Sequence, residues 1–155
     1  MLHLLEARVE PSWLDYNGHM NVAYYHMAFD RATDRFLERL GLGEEYARSG
    51  LGSMFALEDH LIYRRELRLG DPFRITVQLL DFDRKRVHYF LRMFQAQTDE
   101  LAATCEHLSI YVDFRSRRSA PLPESVRHRL EEILISQRDI PRPEEAGKPM
   151  GARRR

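Results

Sequence analysis

Residues 22–40, VAYYHMAFDRATDRFLERL, carry their apolar side chains at steps of three and four positions. This spacing places the apolar side chains on one face of an α-helix and the charged ones on the other. Asn21 precedes the stretch and Gly41 follows it, and both residue types are frequent helix caps. The sequence therefore predicts one long helix with a single buried face, formed by Val22, Tyr25, Phe29, Ala32, Phe36 and Leu40.

Alternating apolar and polar residues predict β-strands on both sides of this helix. One strand precedes the helix, four follow it, and a second helix begins after Pro123. This order indicates an α+β fold, with an antiparallel sheet wrapped around a long central helix and a C-terminal helix. The predicted strands are residues 2–10, part of 54–68, 73–82, 86–96 and 101–114, and the second helix is 124–137.

The length of 155 residues predicts a single domain, which we assign to residues 1–137. Residues 138–155 contain three prolines and end in three arginines, so we expect a flexible tail. Large side chains such as Tyr89 and Phe90 lie on both faces of the predicted strands. A second subunit would cover the outer face, so we expect a homodimer or homotetramer.

Composition narrows the class of protein further. The 24 basic and 24 acidic residues cancel, which argues against a nucleic-acid partner. A single cysteine, Cys105, allows no intramolecular disulfide and favours the reducing cytoplasm. We expect neither a signal peptide nor a membrane partner, because no apolar run approaches the roughly 18 residues of a membrane span. The histidine spacing predicts no metal site, and phosphate-loop and serine-nucleophile motifs are absent from the sequence.

A cluster of polar residues lies in the loop that leads into the long helix. The segment WLDYNGHMN, residues 13–21, contains an acid, two amides and a histidine. The first N–H groups of a helix have no intrahelical partner and carry partial positive charge, so they can stabilise an oxyanion. A nearby carboxylate, Asp15, could then act as nucleophile or general base. The alternative is that Asp15 and Asn17 only hold an Asx-type turn and Asn21 only caps the helix.

The stretch DYNGHMNVAYY, residues 15–25, resembles the signature of the 4-hydroxybenzoyl-CoA thioesterase-like hotdog superfamily. Its form D-x-N-x-H-x-N also resembles the acyl-ACP thioesterase branch. Residues 61–71, LIYRRELRLGD, and 105–113, CEHLSIYVD, are similar to strands of that superfamily. The resemblance implies a hotdog fold and a thioesterase that hydrolyses acyl-CoA to free acid and CoA. It implies no cofactor, because the CoA thioester is the substrate.

The resemblance also implies roles for residues of the loop. Asp15 matches the catalytic carboxylate, which acts as nucleophile in one branch and activates water in others. Val22 matches the position whose backbone N–H polarises the thioester carbonyl. Asn17 and His19 match polar residues that orient the acid or the water, and the alternative role for His19 is that of general base.

Basic residues near two turns are candidates for the phosphates of CoA. The resemblance places phosphate contacts at the turn between the second and third strands after the helix. Arginine can bind phosphate in a bidentate manner. The alternative for any one of these residues is simple solubility at a hairpin end. The candidates are Arg84, Lys85 and Arg86 at that turn, and Arg117 and Arg118 after the last strand.

The acyl group is suggested by aromatic and acidic residues. Trp13, Tyr16 and Tyr25 could hold a flat acyl group or a quaternary ammonium, and Glu58 could bind a cation or position water. The alternative is core packing for the rings and an exposed strand position for Glu58. The chain also resembles thioesterases associated with carnitine and betaine metabolism, which implies betainyl-CoA as substrate.

Three other functions fit parts of this pattern. The same fold could act on acyl-ACP, and a basic ring around the pocket would favour that. A non-catalytic hotdog protein could bind acyl-CoA without turnover, although such a protein needs no acid beside the carbonyl. A structural dimer would have no affinity for CoA.

Overall fold

The computed structural model describes residues 1–152, and the three terminal arginines lie outside that range. Five long strands form one antiparallel sheet in the order β1-β3-β4-β5-β2, and a sixth short strand pairs with β5. The predicted α+β arrangement is confirmed, whereas the short helix α2 and strand β6 were not predicted. The elements are β1 Leu2–Arg8, a 3-10 turn Pro11–Trp13, α1 Val22–Leu40, α2 Glu44–Arg48, β2 Gly52–Tyr63, β3 Pro72–Phe82, β4 Arg86–Gln95, β5 Leu101–Asp113, β6 Arg118–Ser119 and α3 Glu124–Gln137.

The long helix α1 has the predicted bounds and caps. The Asn21 side chain accepts a hydrogen bond from the Ala23 N–H, and Gly41 ends the helix in the left-handed conformation, with φ 77°. The predicted stripe is buried except at its first position, where Val22 is 58% exposed. Met20, just before the helix, is buried instead. The backbone of Val22 therefore lies at an accessible helix N-terminus.

The sheet buries its α1-facing side against the helix. Alternation along the strands places one set of side chains on this side, as predicted. These side chains are almost fully inaccessible, so the helix and the sheet share one core. The set includes Ile75, Val77, Leu79, Val87, Tyr89, Leu91 and Met93.

The segment after α3 crosses the outer side of the sheet. Gln78 on β3 donates to the carbonyl oxygens of Ile140 and Pro141. Farther along, the Gly147 N–H donates to Glu106 on β5. Part of the cover that we expected from a second subunit therefore comes from the chain itself, and Phe90 on β4 is 1% exposed. The flexibility of residues 138–155 stays a prediction, and residues 153–155 of that tail lie outside the described range.

No helix within residues 1–152 is long and apolar enough to cross a membrane.

Candidate active site

The loop before α1 is fixed to the connection between β2 and β3. The Met20 N–H donates to the Leu67 carbonyl at 2.8 Å, and the Asn21 N–H donates to the Trp13 carbonyl at 2.9 Å. A bridge between His19 and Arg68 extends the contact. These long-range bonds hold the start of α1 and the polar loop in one place relative to the sheet.

Asp15 forms an Asx turn and keeps one oxygen open. Its Oδ1 accepts the Asn17 N–H at 2.8 Å, while its own N–H donates to the His19 carbonyl at 3.0 Å. Gly18 completes the turn with φ 76°. Among residues 1–152, Oδ2 of Asp15 receives no hydrogen bond. The turn that we considered as an alternative is therefore present, and it orients the carboxylate without using both oxygens.

The first turn of α1 offers a free backbone donor. The Asn21 side chain accepts the Ala23 N–H at 2.9 Å, and the Asn21 carbonyl accepts the Tyr24 N–H at 2.9 Å. The Val22 N–H has no acceptor among the residues that the structure describes. An unpaired N–H at a helix N-terminus is suited to a carbonyl oxygen that gains negative charge.

His19 and Asn17 lie in the same loop but make different contacts. The Nε2 of His19 lies 3.1 Å from Glu66 Oε2, and Glu66 also binds Arg68 at 2.6 Å. The Arg68 guanidinium is the main cause of a lowered pKa of Glu66. Asn17 contributes its backbone N–H to Asp15, and its side chain lies in solvent. His19 is therefore oriented by a carboxylate that sequence analysis did not identify.

Trp13 belongs to the core beneath the loop. The side chain is 5% exposed and stacks on Tyr24 with ring centroids 5.5 Å apart. Phe73 is 6.3 Å away, and the Arg31 guanidinium lies 5.9 Å from the ring centroid. The packing alternative fits Trp13 because the ring is buried against these three neighbours.

Tyr25 is also buried and holds the backbone of the β2–β3 connection. Its hydroxyl accepts the Leu67 N–H at 2.9 Å and donates to the Arg65 carbonyl at 3.2 Å. Burial raises the pKa of Tyr25 to about 12, so the phenol stays protonated. Tyr16, by contrast, is 98% exposed at the tip of the loop. Of the three aromatic candidates, Tyr16 is the one open to solvent.

Glu58 faces away from α1. It follows an irregularity in the β2–β5 pairing between Ala56 and Glu58. Glu58 lines a cavity of about 370 Å³ on the outer side of the sheet, between the strands and the segment after α3. The structure therefore does not bring Glu58 together with Asp15 within one chain. The other lining residues are His60, His88, Glu106, Leu108, Gly147, Lys148 and Pro149.

The two basic turns meet each other. The Lys85 Nζ donates to the Ser119 carbonyl at 3.2 Å and to its hydroxyl at 3.1 Å. Arg86 pairs with Asp83 at 2.6 Å. Hydrogen bonds from the Lys85 N–H and from Arg86 lower the pKa of Asp83 to about 2. Arg86 therefore already has a carboxylate partner, which reduces its net attraction for phosphate.

The remaining basic candidates lie at the same end of the sheet. Arg84 and Arg118 are exposed, and Arg117 is exposed with φ 55°. This end lies after Phe82, whereas the Asp15 loop contacts the connection before Pro72. Strand β3 has 11 residues, and at about 3.3 Å per residue its ends are roughly 30 Å apart. One chain therefore separates the basic turns from Asp15 by the length of a strand.

A second carboxylate cluster near the start of α1 escaped sequence analysis. Asp59 on β2 accepts hydrogen bonds from His107 Nδ1 at 2.5 Å and from His26 Nε2 at 3.2 Å. Cys105 lies against the same carboxylate, with Sγ 3.6 Å from Oδ1. Burial raises the pKa of the Cys105 thiol, which fits the inert, buried cysteine that we expected. No local sequence motif predicts this cluster, because its residues come from α1, β2 and β5.

Comparison with known proteins places this geometry in a class. Over 99% of this chain and 98% of the other, the fold matches protein SAV2348 from Staphylococcus aureus, solved in complex with CoA, with a TM-score of 0.91 and 30% identity. The sheet, the long central helix and this match define a hotdog protein, as the sequence predicted.

The chain belongs to the Thioesterase-like superfamily, whose family model matches residues 9–130. The betainyl-CoA thioesterase of Pseudomonas aeruginosa is 33% identical over 97% of this chain and 95% of that protein. An L-carnitine dehydrogenase/betainyl-CoA thioesterase of Rhizobium meliloti is 33% identical over 99% of this chain. This chain spans 31% of the length of that second relative. The resemblance found in the sequence is thereby confirmed.

Proposed function

We propose that the protein hydrolyses an acyl-CoA to a free acid and CoA, with Asp15 as the catalytic carboxylate. The observation that carries this proposal is that one loop, fixed by backbone hydrogen bonds, brings the open Oδ2 of Asp15 and the unpaired Val22 N–H to the start of α1. A thioesterase needs a group that attacks or delivers water and a donor that stabilises the oxyanion. Membership of the Thioesterase-like superfamily supports a thioester hydrolase.

In the proposed reaction, one group acts on the oxygen of the thioester carbonyl and another acts on its carbon. The Val22 N–H and the partial positive charge of the helix N-terminus stabilise the oxygen as it becomes negative. The open Oδ2 of Asp15 attacks the carbonyl carbon or accepts a proton from water, and the carbon–sulfur bond breaks. The Asx turn fixes the carboxylate because Oδ1 is bound by Asn17. His19, held by Glu66, is suited to orient the acid or the water.

The acyl group that we propose is short or polar, with betainyl-CoA as the first candidate. Support comes from two relatives that are named for that activity and cover nearly all of this chain. A trimethylammonium group favours aromatic faces and negative charge. The exposed ring of Tyr16 and the Glu66 carboxylate lie near the Asp15 loop and provide both features.

We propose that the protein is a homodimer or homotetramer and that CoA contacts residues of two subunits. The basic turns and Asp15 lie at opposite ends of β3, so one CoA near Asp15 would meet basic turns of a second copy. The edge strand β2 carries the exposed apolar residues Phe55, Leu57 and Tyr63. A second copy would cover them. Light scattering should give a mass of at least two chains, and a monomer would contradict this proposal.

The first experiment measures thiol release from acetyl-, medium-chain, long-chain, 4-hydroxybenzoyl- and betainyl-CoA. We expect the highest kcat/KM with betainyl-CoA. Asp15→Asn should lower kcat by at least about 10³-fold, because the amide can neither attack nor accept the proton. The Asx turn should survive, since the Asn side chain still offers an oxygen to the Asn17 N–H.

Two further experiments distinguish the proposed function from the other functions. An acyl-ACP substrate added to the panel tests the acyl-ACP alternative, which the D-x-N-x-H-x-N form favours. Calorimetry with CoA tests whether the protein binds without turnover. No hydrolysis of any thioester, or hydrolysis unchanged in Asp15→Asn, would overturn the assignment of Asp15.

A further inference from the structure

Asp59 is held between groups of two different elements. His107 on β5 is 9% exposed and binds Oδ1, and His26 on α1 is 56% exposed and binds Oδ2. The backbone of Asp59 is open because β2 is an edge strand, but its side chain is only 22% exposed. The carboxylate thus has one buried partner and one partner that reaches solvent.

The buried partner keeps Asp59 ionised. The hydrogen bond from His107 is the main cause that lowers the pKa of Asp59 to about 2, and bonds from His26 and Cys105 act in the same direction. Tyr89 on β4 packs on the His107 ring, with centroids 4.7 Å apart, and fixes that imidazole. The described titratable groups around Asp59 are therefore His26 from α1, His107 and Cys105 from β5, and Tyr89 from β4. None of them is a carboxylate that would compete for the imidazoles.

His26 lies close to the proposed oxyanion donor. It follows Val22 by four residues, so both lie on the same face of α1, one turn apart. The first turn of α1 also reaches the end of β2, where Tyr25 contacts Tyr63 with ring centroids 5.4 Å apart. The Asp15 loop contacts the same region through the bond between Met20 and Leu67. Asp15, the Val22 N–H and His26 are therefore at one end of the helix.

The hydrogen bond to Asp59 prepares His26 for proton transfer. With Nε2–H donating to the carboxylate, Nδ1 is left as a proton acceptor. A carboxylate that binds one nitrogen of an imidazole fixes the tautomer and stabilises the imidazolium that forms. Imidazole is also the side chain best suited to exchange protons near neutral pH.

We propose that His26, positioned by Asp59, is the base that activates water in this thioesterase site, while Asp15 is the nucleophile. This inference rests on the proposed function and assigns the two roles that Asp15 alone left open. His26 is a catalytic residue here because it contacts the attacking water. Asp59 is a positioning residue because it acts through His26.

The reaction then runs in two balanced steps. In the first, Asp15 Oδ2 bonds to the acyl carbon, the carbon–sulfur bond breaks, and the CoA thiolate takes a proton from solvent. In the second, the water oxygen bonds to the acyl carbon of the mixed anhydride, and one water proton passes to His26 Nδ1. The bond from the acyl carbon to Asp15 breaks and restores the carboxylate. His26 and the acid product release their protons to solvent.

The test is stopped-flow release of CoA from the best substrate of the wild type. His26→Asn should lower kcat by about 10²-fold or more and should still release about one equivalent of CoA per active site in a rapid burst. The burst arises because the first step needs only Asp15. Asp15→Asn should show neither burst nor turnover. His128→Asn is the matched control, since His128 is an exposed histidine paired with Glu132 at 3.4 Å on α3, and it should leave kcat unchanged.

The Asp59→Asn variant tests whether Asp59 acts on catalysis through His26 or only supports the fold. It keeps an oxygen for the His107 N–H, so the fold should be retained, but it removes the charge that stabilises the imidazolium. We expect a retained burst and a fall in kcat smaller than that of His26→Asn.

The outcomes separate the two proposals. If the wild type is active and His26→Asn has a kcat within about twofold of it, which is below the factor expected for a general base, the inference is wrong and the proposed function stands. If His26→Asn loses the burst together with turnover, His26 acts before acylation and the assignment to water is wrong. If the wild type hydrolyses no thioester, the proposed function fails and this inference fails with it.

Discussion

Two carboxylates lie near the start of α1, and their surroundings differ. Asp15 is bound by the backbone of its own loop, through Asn17, Gly18 and His19, and one of its oxygens is open. Asp59 is bound by side chains from α1 and β5, and both of its oxygens have partners. The first carboxylate is free to react, while the second is fixed and kept ionised.

The difference in surroundings suits the two carboxylates to two different roles. A nucleophile needs an unshielded oxygen with freedom to approach the carbon. A positioning carboxylate needs a fixed geometry and a charge that persists. Local turns provide the first condition, and strand register with a buried histidine provides the second. The same substitution at Asp15 and at Asp59 should therefore have unequal effects.

The largest expected difference is in stability after removal of each side chain. Asp59→Ala leaves the buried His107 without its partner, so we expect a loss of about 1–3 kcal/mol in the free energy of unfolding. Asp15→Ala loses an exposed turn bond that water can replace, so its loss should be below about 1 kcal/mol. Urea unfolding followed by circular dichroism measures both. Equal losses, or a larger loss for Asp15→Ala, would contradict the comparison.

A smaller effect tests whether the local turn matters for reactivity. Gly18 has φ 76° and Gly50 has φ 77°, and a Cβ at either position would meet no atom within 4 Å. Alanine at either position should therefore cost about 1 kcal/mol through backbone strain alone. Only Gly18→Ala should also lower kcat, because Gly18 closes the turn that orients Asp15. Equal activities of the two variants would mean that the turn does not position the acid.

Most of the fold could be predicted from the sequence because its patterns are local. The bounds of α1 follow from a three- and four-residue apolar spacing with Asn21 and Gly41 as caps. The strands follow from alternation. Helix α2 was missed since its five residues, Glu44–Arg48, bury no side chain and so give no apolar pattern.

The candidate site was predictable only where it is local. The Asp15 loop is contiguous in sequence, so a motif can mark it. The cluster at Asp59 joins residues 33 and 48 positions apart, and only the register of β2 with β5 brings them together. The pairing irregularity after Ala56 likewise decides that Glu58 faces outward and Asp59 faces α1. Register of this kind has no signature in a single sequence.

Acid stability isolates the charge of Asp59 from the rest of its side chain. The pKa of Asp59 is lowered from 3.8 to about 2 in the folded protein. A carboxyl group with a lowered folded pKa stabilises the fold above its unfolded pKa and loses that contribution as pH falls through the folded pKa. The difference in unfolding free energy between wild type and Asp59→Asn should therefore be constant above about pH 4 and shrink toward about pH 2.

Asp83 supplies the control for this measurement. Its pKa is also lowered to about 2, but its side chain is 47% exposed and solvent screens its partners. Asp83→Asn should therefore change the pH dependence of the unfolding free energy in acid less than Asp59→Asn does. Urea unfolding of both variants across this pH range measures the two changes. If the wild-type and Asp59→Asn curves run parallel down to about pH 2, the charge of Asp59 does not couple to folding. The fixed, ionised carboxylate that distinguishes Asp59 from Asp15 would then be the wrong description.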